Sequence, residues 1–149
     1  MLLIFIVGIS LYIVPGFDVI RFGWSQPFPQ WLKIIALLVH LPCFIFLGWV
    51  MQANTYLSPV VKIDHEREHQ VITGGPYAII RHPMYSIVIV LTLAFPIALG
   101  SRFGLIPALL IVLLLIIRTI LEDRTLHEEL PGYPEYTGIT RYRLIPGVW

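Results

Sequence analysis

Long apolar stretches and short polar ones alternate along this chain. Apolar runs cover residues 2–17, 31–53, 83–99 and 103–121. Each is long enough, or nearly so, to be read as a membrane-crossing helix, since about 20 apolar residues span a bilayer core. The first is the shortest reading. It ends in Pro15-Gly16, lacks a preceding basic residue and shows no clear small-residue cleavage site, so it is expected to be a tilted or marginal first helix rather than a signal peptide. Pro42 is expected to kink the second run, Pro96 lies near the end of the third, and Pro107 falls in the first turns of the fourth, where residues 109–117 are unbroken aliphatic. The pattern predicts an all-α integral membrane protein, a single domain over residues 1–149 with about four transmembrane helices.

Composition agrees with this pattern. The chain is 57% hydrophobic and 13% charged, with a mean hydropathy of +0.81, too apolar for a soluble domain of 149 residues. A net charge of +1 gives no support for a nucleic-acid partner. The single Cys43 excludes an intramolecular disulfide and a cysteine metal site, and reads as a small buried hydrophobe. Charge distribution says more than its sum. Lys62, Arg67, Arg81, Arg118, Arg124, Arg141 and Arg143 fall on one side of a four-span arrangement, and Arg21, Lys33 and Arg102 on the other. The positive-inside rule then places both termini and the central segment in the cytoplasm, in a bacterial-type inner membrane. Trp24, Phe28 and Trp31 read as an aromatic belt at the opposite interface, and His40, beside Pro42, as a hydrogen-bonded packing histidine.

Candidate chemistry concentrates between the second and third runs. Residues 60–63 read as a short extended piece, and the run Asp64 to His69 mixes charges as solvated surface does. His65 and His69 are four apart, but the following Val-Ile-Thr-Gly-Gly opposes a helix there and no third ligand has suitable spacing, so no metal is expected. Gly74-Gly75-Pro76 predicts a turn at which a ligand can approach the backbone. Arg81 and His82 directly precede Pro83, a residue suited to the first turn of a helix. They are therefore placed at the mouth of the third span, where free N–H groups near Met84 and Tyr85 would attract an anion.

The tail is the second informative stretch. Arg118, Glu122 and Glu129 keep helical spacing and Arg124 pairs with Glu128 four residues on, so the fourth helix is predicted to leave the membrane and run to about Leu130, where Pro131-Gly132 stops it. Arg118 and Glu122 share a face where ionisable groups are costly unless paired or wet. Beyond the turn, Tyr133, Tyr136, Arg141, Tyr142 and Arg143 alternate aromatic and basic character, which suits a lid over the 69–85 segment and equally suits headgroup contact.

The stretch HQVITGGPYAIIRHPMY and the tail EDRTLHEELPGYPEYTGITRYRLIPGVW resemble the isoprenylcysteine carboxyl methyltransferases, integral membrane enzymes whose wider relatives are the phospholipid N-methyltransferases. The resemblance covers roughly the last 90 residues. It implies a small helical bundle whose cytoplasmic segments, about 65–85 and 118–146, wrap S-adenosylmethionine (SAM). It assigns His69, Gly75, Tyr77, Arg81, His82 and Tyr85 to the cofactor site, with Glu122 and Asp123 as the acidic pair. The chain departs from the family pattern at Ser86-Ile87, where a glycine is frequent. A four-span bundle is either a reduced form or one completed by a partner, so an oligomer is allowed.

Chemistry argued from the residues runs the same way. No Gly-x-Gly-x-x-Gly loop suggests a soluble dinucleotide fold. Methyl transfer from a sulfonium to a carboxylate needs alignment and water exclusion rather than a base. Arg118 or Arg141 could fix a substrate carboxylate by a two-pronged bond, and Glu122 could take ribose hydroxyls or an ammonium. The expectation is a SAM-dependent methyltransferase acting on a lipophilic substrate from the bilayer, with membrane lipids as partners and O-methylation favoured. An NADPH-dependent sterol-type reductase and a non-catalytic assembly or lipid-binding module are the alternatives.

Overall fold

In a computed structural model, residues 2–54 and 70–149 are described. They form α1 (Leu2–Pro15), which continues as a π-helical Gly16–Phe22, then α2 (Gln30–Ala53), a short 3-10 turn (Gly75–Ala78), α3 (Pro83–Leu99), α4 (Leu105–Glu129) and α5 (Tyr133–Ile139). No strand occurs among the described residues. The extended piece expected over 60–63 and the mixed-charge run ending in His69 lie outside them.

Among the described residues, three helices are long and apolar enough to cross a membrane, Ile4–Phe22, Gln30–Ala53 and Leu105–Glu129. This revises two expectations. The first helix is not marginal, because Pro15-Gly16 does not stop it. Proline removes one backbone donor, and the chain absorbs the break by widening into the π form, which ends at Gly23. There φ is +62° and the Gly23 N–H donates to the Asp18 carbonyl five residues back. The short helix is α3, whose 17 residues reach about 25 Å at 1.5 Å each, below a core of about 30 Å. Pro83 begins it and Gly100, at φ +85°, closes it.

Two compact units can be distinguished, one of residues up to Ile45 with Val88–Leu115, the other of Phe46–Ile87 with Ile116–Trp149. In the first, the small side chains of Ala36, Ala94 and Ala108 are buried along with those of Leu11, Ile111 and Leu115. Small residues let helices approach closely where lipid supplies no hydrophobic drive. Gly104 shows the limit, since a Cβ there would lie 2.8 Å from both Pro15 Cγ and Pro96 Cβ. Tyr12 packs edge-on against Phe95 at 5.1 Å. His40 Nδ1 lies 2.8 Å from the Ala36 carbonyl, the packing arrangement expected of it. Cys43 is partly exposed rather than buried.

The same unit holds an acid that the sequence pattern did not single out. Asp18 is fully buried. Its Oδ1 accepts the Ser25 N–H at 2.8 Å, and its Oδ2 accepts the hydroxyls of Ser25 and Ser101, each at 2.6 Å. The two serines in turn accept the N–H groups of Arg102 and Gly104. This carboxylate is thus satisfied by hydroxyl and amide donors, and it ties the end of the first helix to the turn before α4.

The two proline rings leave no room at Gly104. Gly104→Ala is expected to lower stability by about 1–3 kcal/mol, read as a lower unfolding midpoint in detergent micelles. An unchanged midpoint would mean that the turn has slack to accept a methyl group.

Candidate active site

The second unit brings the two polar stretches together. Gly75 starts the 3-10 turn at φ +59°, a conformation that favours glycine, and a Cβ there would meet Trp49 and Ala53 at ordinary contact distance. The turn buries Tyr77 and leads to Arg81-His82, just before α3. The tail after α5 is extended at Thr140 and runs beside this segment. The Arg81 N–H donates to the Tyr142 carbonyl at 2.9 Å and the His82 N–H to the Arg143 carbonyl at 3.0 Å. Ser86 adds a third link, its hydroxyl donating to the Leu144 carbonyl at 2.7 Å. The mouth of α3 is therefore held by three successive tail carbonyls.

Asp123, on α4, is the centre of the cluster. Arg81 grips it with two prongs, Nε to Oδ1 at 2.8 Å and Nη2 to Oδ2 at 3.1 Å. Arg143 Nε donates to Oδ2 at 2.8 Å, the Tyr133 hydroxyl donates to Oδ1 at 2.9 Å, and His82 Nε2 lies 3.3 Å from Oδ1. Arg81 also donates through Nη1 to the carbonyls of Thr140 and Arg141, at 2.9 and 3.0 Å. Its guanidinium therefore joins α4, the tail and its own segment, and it is turned inward rather than toward solvent. Arg141 joins the cluster through its carbonyl only, with its side chain exposed.

Glu122 is the neighbouring acid and is placed differently. Its side chain is 24% exposed, against 8% for Asp123. The Tyr85 hydroxyl donates to its Oε2 at 2.6 Å and accepts from Arg118 Nε at 2.6 Å. Arg118 Nε lies 3.7 Å from Oε2, four residues along the same helix, and His82 Nδ1 lies 3.8 Å from Oε1. The His82 and Tyr85 rings stack at 5.9 Å with planes 17° apart. Glu122 thus sits at the edge of a ring pair, oriented by Tyr85 and Arg118 and partly open.

Tyrosines support the cluster from behind. Tyr136 donates to the Tyr77 carbonyl at 2.6 Å, and the Tyr77 hydroxyl accepts from Asn54 at 3.0 Å. Leu130, Tyr133 and Tyr136 form a buried core flanked by Val71 and Leu126. Burial, more than any neighbour, pushes the Tyr136 phenol up to about 12. It also raises Tyr133, where the Asp123 charge adds to the effect, and Tyr77.

Of the residues singled out from sequence, Gly75, Tyr77, Arg81, His82, Tyr85, Arg118, Glu122 and Asp123 lie in this unit and, apart from Gly75, in one hydrogen-bonded neighbourhood. His69 lies outside the described residues. Arg143, Tyr133, Tyr136 and Thr140 were legible only as tail composition. The alternation Arg141-Tyr142-Arg143 suited a lid or headgroup contact, but did not say which arginine faces inward.

A family profile described as phospholipid methyltransferase matches residues 31–130, two thirds of the chain. The chain belongs to the phospholipid methyltransferase family. With its apolar helices, membership makes it a membrane methyltransferase family protein and implies a methyl donor. No curated protein matches the chain. The matched region holds both acids and the Arg81-His82 pair but ends before Tyr133, Thr140 and Arg143, the tail groups that close the cluster in this methyltransferase family member.

The raised phenols give a pH dependence with a definite sign. An unfolded chain ionises its tyrosines near 10.0, whereas the folded one keeps Tyr136 neutral to about 12. The cluster's contribution to stability is therefore complete below pH 10 and is lost as pH climbs toward 12. Phenolate absorbance from Tyr77, Tyr133 and Tyr136 is expected to appear together with loss of helical signal. Ionisation of all tyrosines near pH 10 with the helices intact would contradict this burial.

Proposed function

We propose that this protein transfers a methyl group from SAM to a lipophilic acceptor that enters from the bilayer. The observation that carries the reading is the division of labour between adjacent acids. Asp123 is saturated by two arginines, a tyrosine and a histidine, while Glu122 is oriented yet partly open.

The donor set suits SAM. Glu122 is available for ribose hydroxyls or the ammonium group, the stacked His82 and Tyr85 rings present flat faces for the adenine or sulfonium, and the Gly74-Gly75 backbone can take the carboxylate. SAM, when bound, supplies an electrophilic methyl group on sulfur. Arg81 and Asp123 act through geometry, fixing the His82 ring and the tail strand in register with α3. Tyr85 and Arg118 hold the Glu122 carboxylate in one orientation, so no reorganisation is needed as charge shifts. His69 remains an expected cofactor residue by resemblance. The positive-inside bias of the sequence supports a cytoplasmic location for this cluster and for both termini.

The acceptor has two readings. A carboxylate, as on a prenylated cysteine, requires no base and would be held by Arg118 or by the exposed Arg141. An amine requires a group to take its proton, a role for His82 or Glu122.

Calorimetric titration of SAM into the purified protein is expected to show binding that Glu122→Gln and His82→Ala each weaken by at least about tenfold, a loss of about 1.4 kcal/mol. Incubation with membrane lipid extract should then give a product heavier by one methylene, whose ester or amine fragment identifies the acceptor. Equal SAM binding by wild type and both variants, or displacement of SAM by NADPH, would overturn the reading.

A further inference from the structure

The tail closes the cluster with its polar side and leaves apolar side chains outward. Ile139 is 83% exposed, Val148 75%, and Ile79 and Ile145 each 55%. These are not scattered. Thr140 Oγ1 lies 3.5 Å from the Ala78 carbonyl, so Ile139 and Ile79 flank one contact. The Val148 N–H donates to the Ile145 carbonyl at 3.1 Å, so those two share one turn. Arg141 and Tyr142, between Ile139 and Ile145 in the sequence, are both exposed.

Depth decides what covers this surface. The apolar part of α4 ends in the exposed Ile117, Ile120 and Leu121 and is followed at once by Glu122 and Asp123. Those acids bond Tyr85 and Arg81 at the start of α3, so the mouth of α3 is level with the edge of the hydrocarbon. The shortness of α3 keeps that mouth from rising far above the bilayer. The tail strand is hydrogen-bonded to Arg81 and His82 and shares their level. Apolar side chains facing outward at headgroup depth, with a tyrosine and an arginine among them, have the composition of an interfacial segment.

We propose that Ile79, Ile139, Ile145 and Val148 form a membrane-docking surface that seats the tail in the headgroup layer of the protein's own bilayer, with Arg141 placed for lipid phosphate. The lipid surface thereby helps hold the strand whose carbonyls bind Arg81 and His82. This rests on the membrane-spanning helices and on the tail's bonds to Arg81 and His82, and is independent of which methyl donor the protein uses.

Spin labelling tests it in the full chain. With Cys43→Ala as background, nitroxides are attached singly at Ile139→Cys, Val148→Cys and, as a water-facing reference on α5, Glu135→Cys. The protein is reconstituted in vesicles of phosphatidylcholine with phosphatidylglycerol. Power saturation is expected to give a several-fold higher ratio of oxygen to nickel-chelate accessibility for the Ile139 and Val148 labels than for the Glu135 label. Equal ratios at the three positions would overturn the proposal in favour of a water-facing tail. Low accessibility to both reagents, with dipolar broadening between labels, would overturn it in favour of a second copy of the chain.

Discussion

The buried pairing of Arg81 with Asp123 is the interaction on which the candidate site depends. A carboxylate removed from water is costly, and here it is offset only because two guanidinium groups, a phenol and an imidazole converge on it. The four donors come from three parts of the chain: Arg81 and His82 from the segment before α3, Tyr133 from α5, Arg143 from the tail. Satisfying one acid therefore requires all of them to be in place. The remaining Arg81 donors extend this requirement to the backbone, through the carbonyls of Thr140 and Arg141. Glu122, one residue earlier on the helix, inherits a fixed frame without being consumed by it. A network of this kind sets geometry more than it adds stability, because its Coulomb gain is largely spent against desolvation.

The two units solve the buried-carboxylate problem in different ways. Asp18 is satisfied by serine hydroxyls and backbone amide donors, with no cation among the described residues. Such an acid has no unused valence and fits a purely structural tie. Asp123 is met by cations instead, and His82 lies between it and the partly open Glu122.

The all-helical, membrane-crossing character was legible from hydropathy, because apolar runs of membrane length have few other uses. Local punctuation was also legible: Gly75 takes the positive φ that the Gly-Gly-Pro turn implied, Pro83 opens α3, and the Arg124–Glu128 pair closes at 2.8 Å. Other features depend on distant partners and leave no local mark. Asp18 looked like part of a loop because Ser101, its hydroxyl donor, is 83 residues away. The first helix continues past Pro15 because the chain switches to a π form, which no propensity signals. Adjacent acids on a helix point about 100° apart, and the pattern could not say that Asp123 faces inward while Glu122 stays open. Likewise, the choice of Arg143 over Arg141 as the inward arginine is set by the tail's pairing with Arg81 and His82.

The most direct test is a double-mutant cycle on the full chain in detergent, combining Arg81→Gln with Asp123→Asn. Each single change leaves a buried charge without its partner and is expected to cost about 3–5 kcal/mol. The double variant should then cost less than the sum, with a coupling of up to about 3 kcal/mol. Costs that add to within about 0.5 kcal/mol would show that the two side chains do not act as one unit, and would contradict the account.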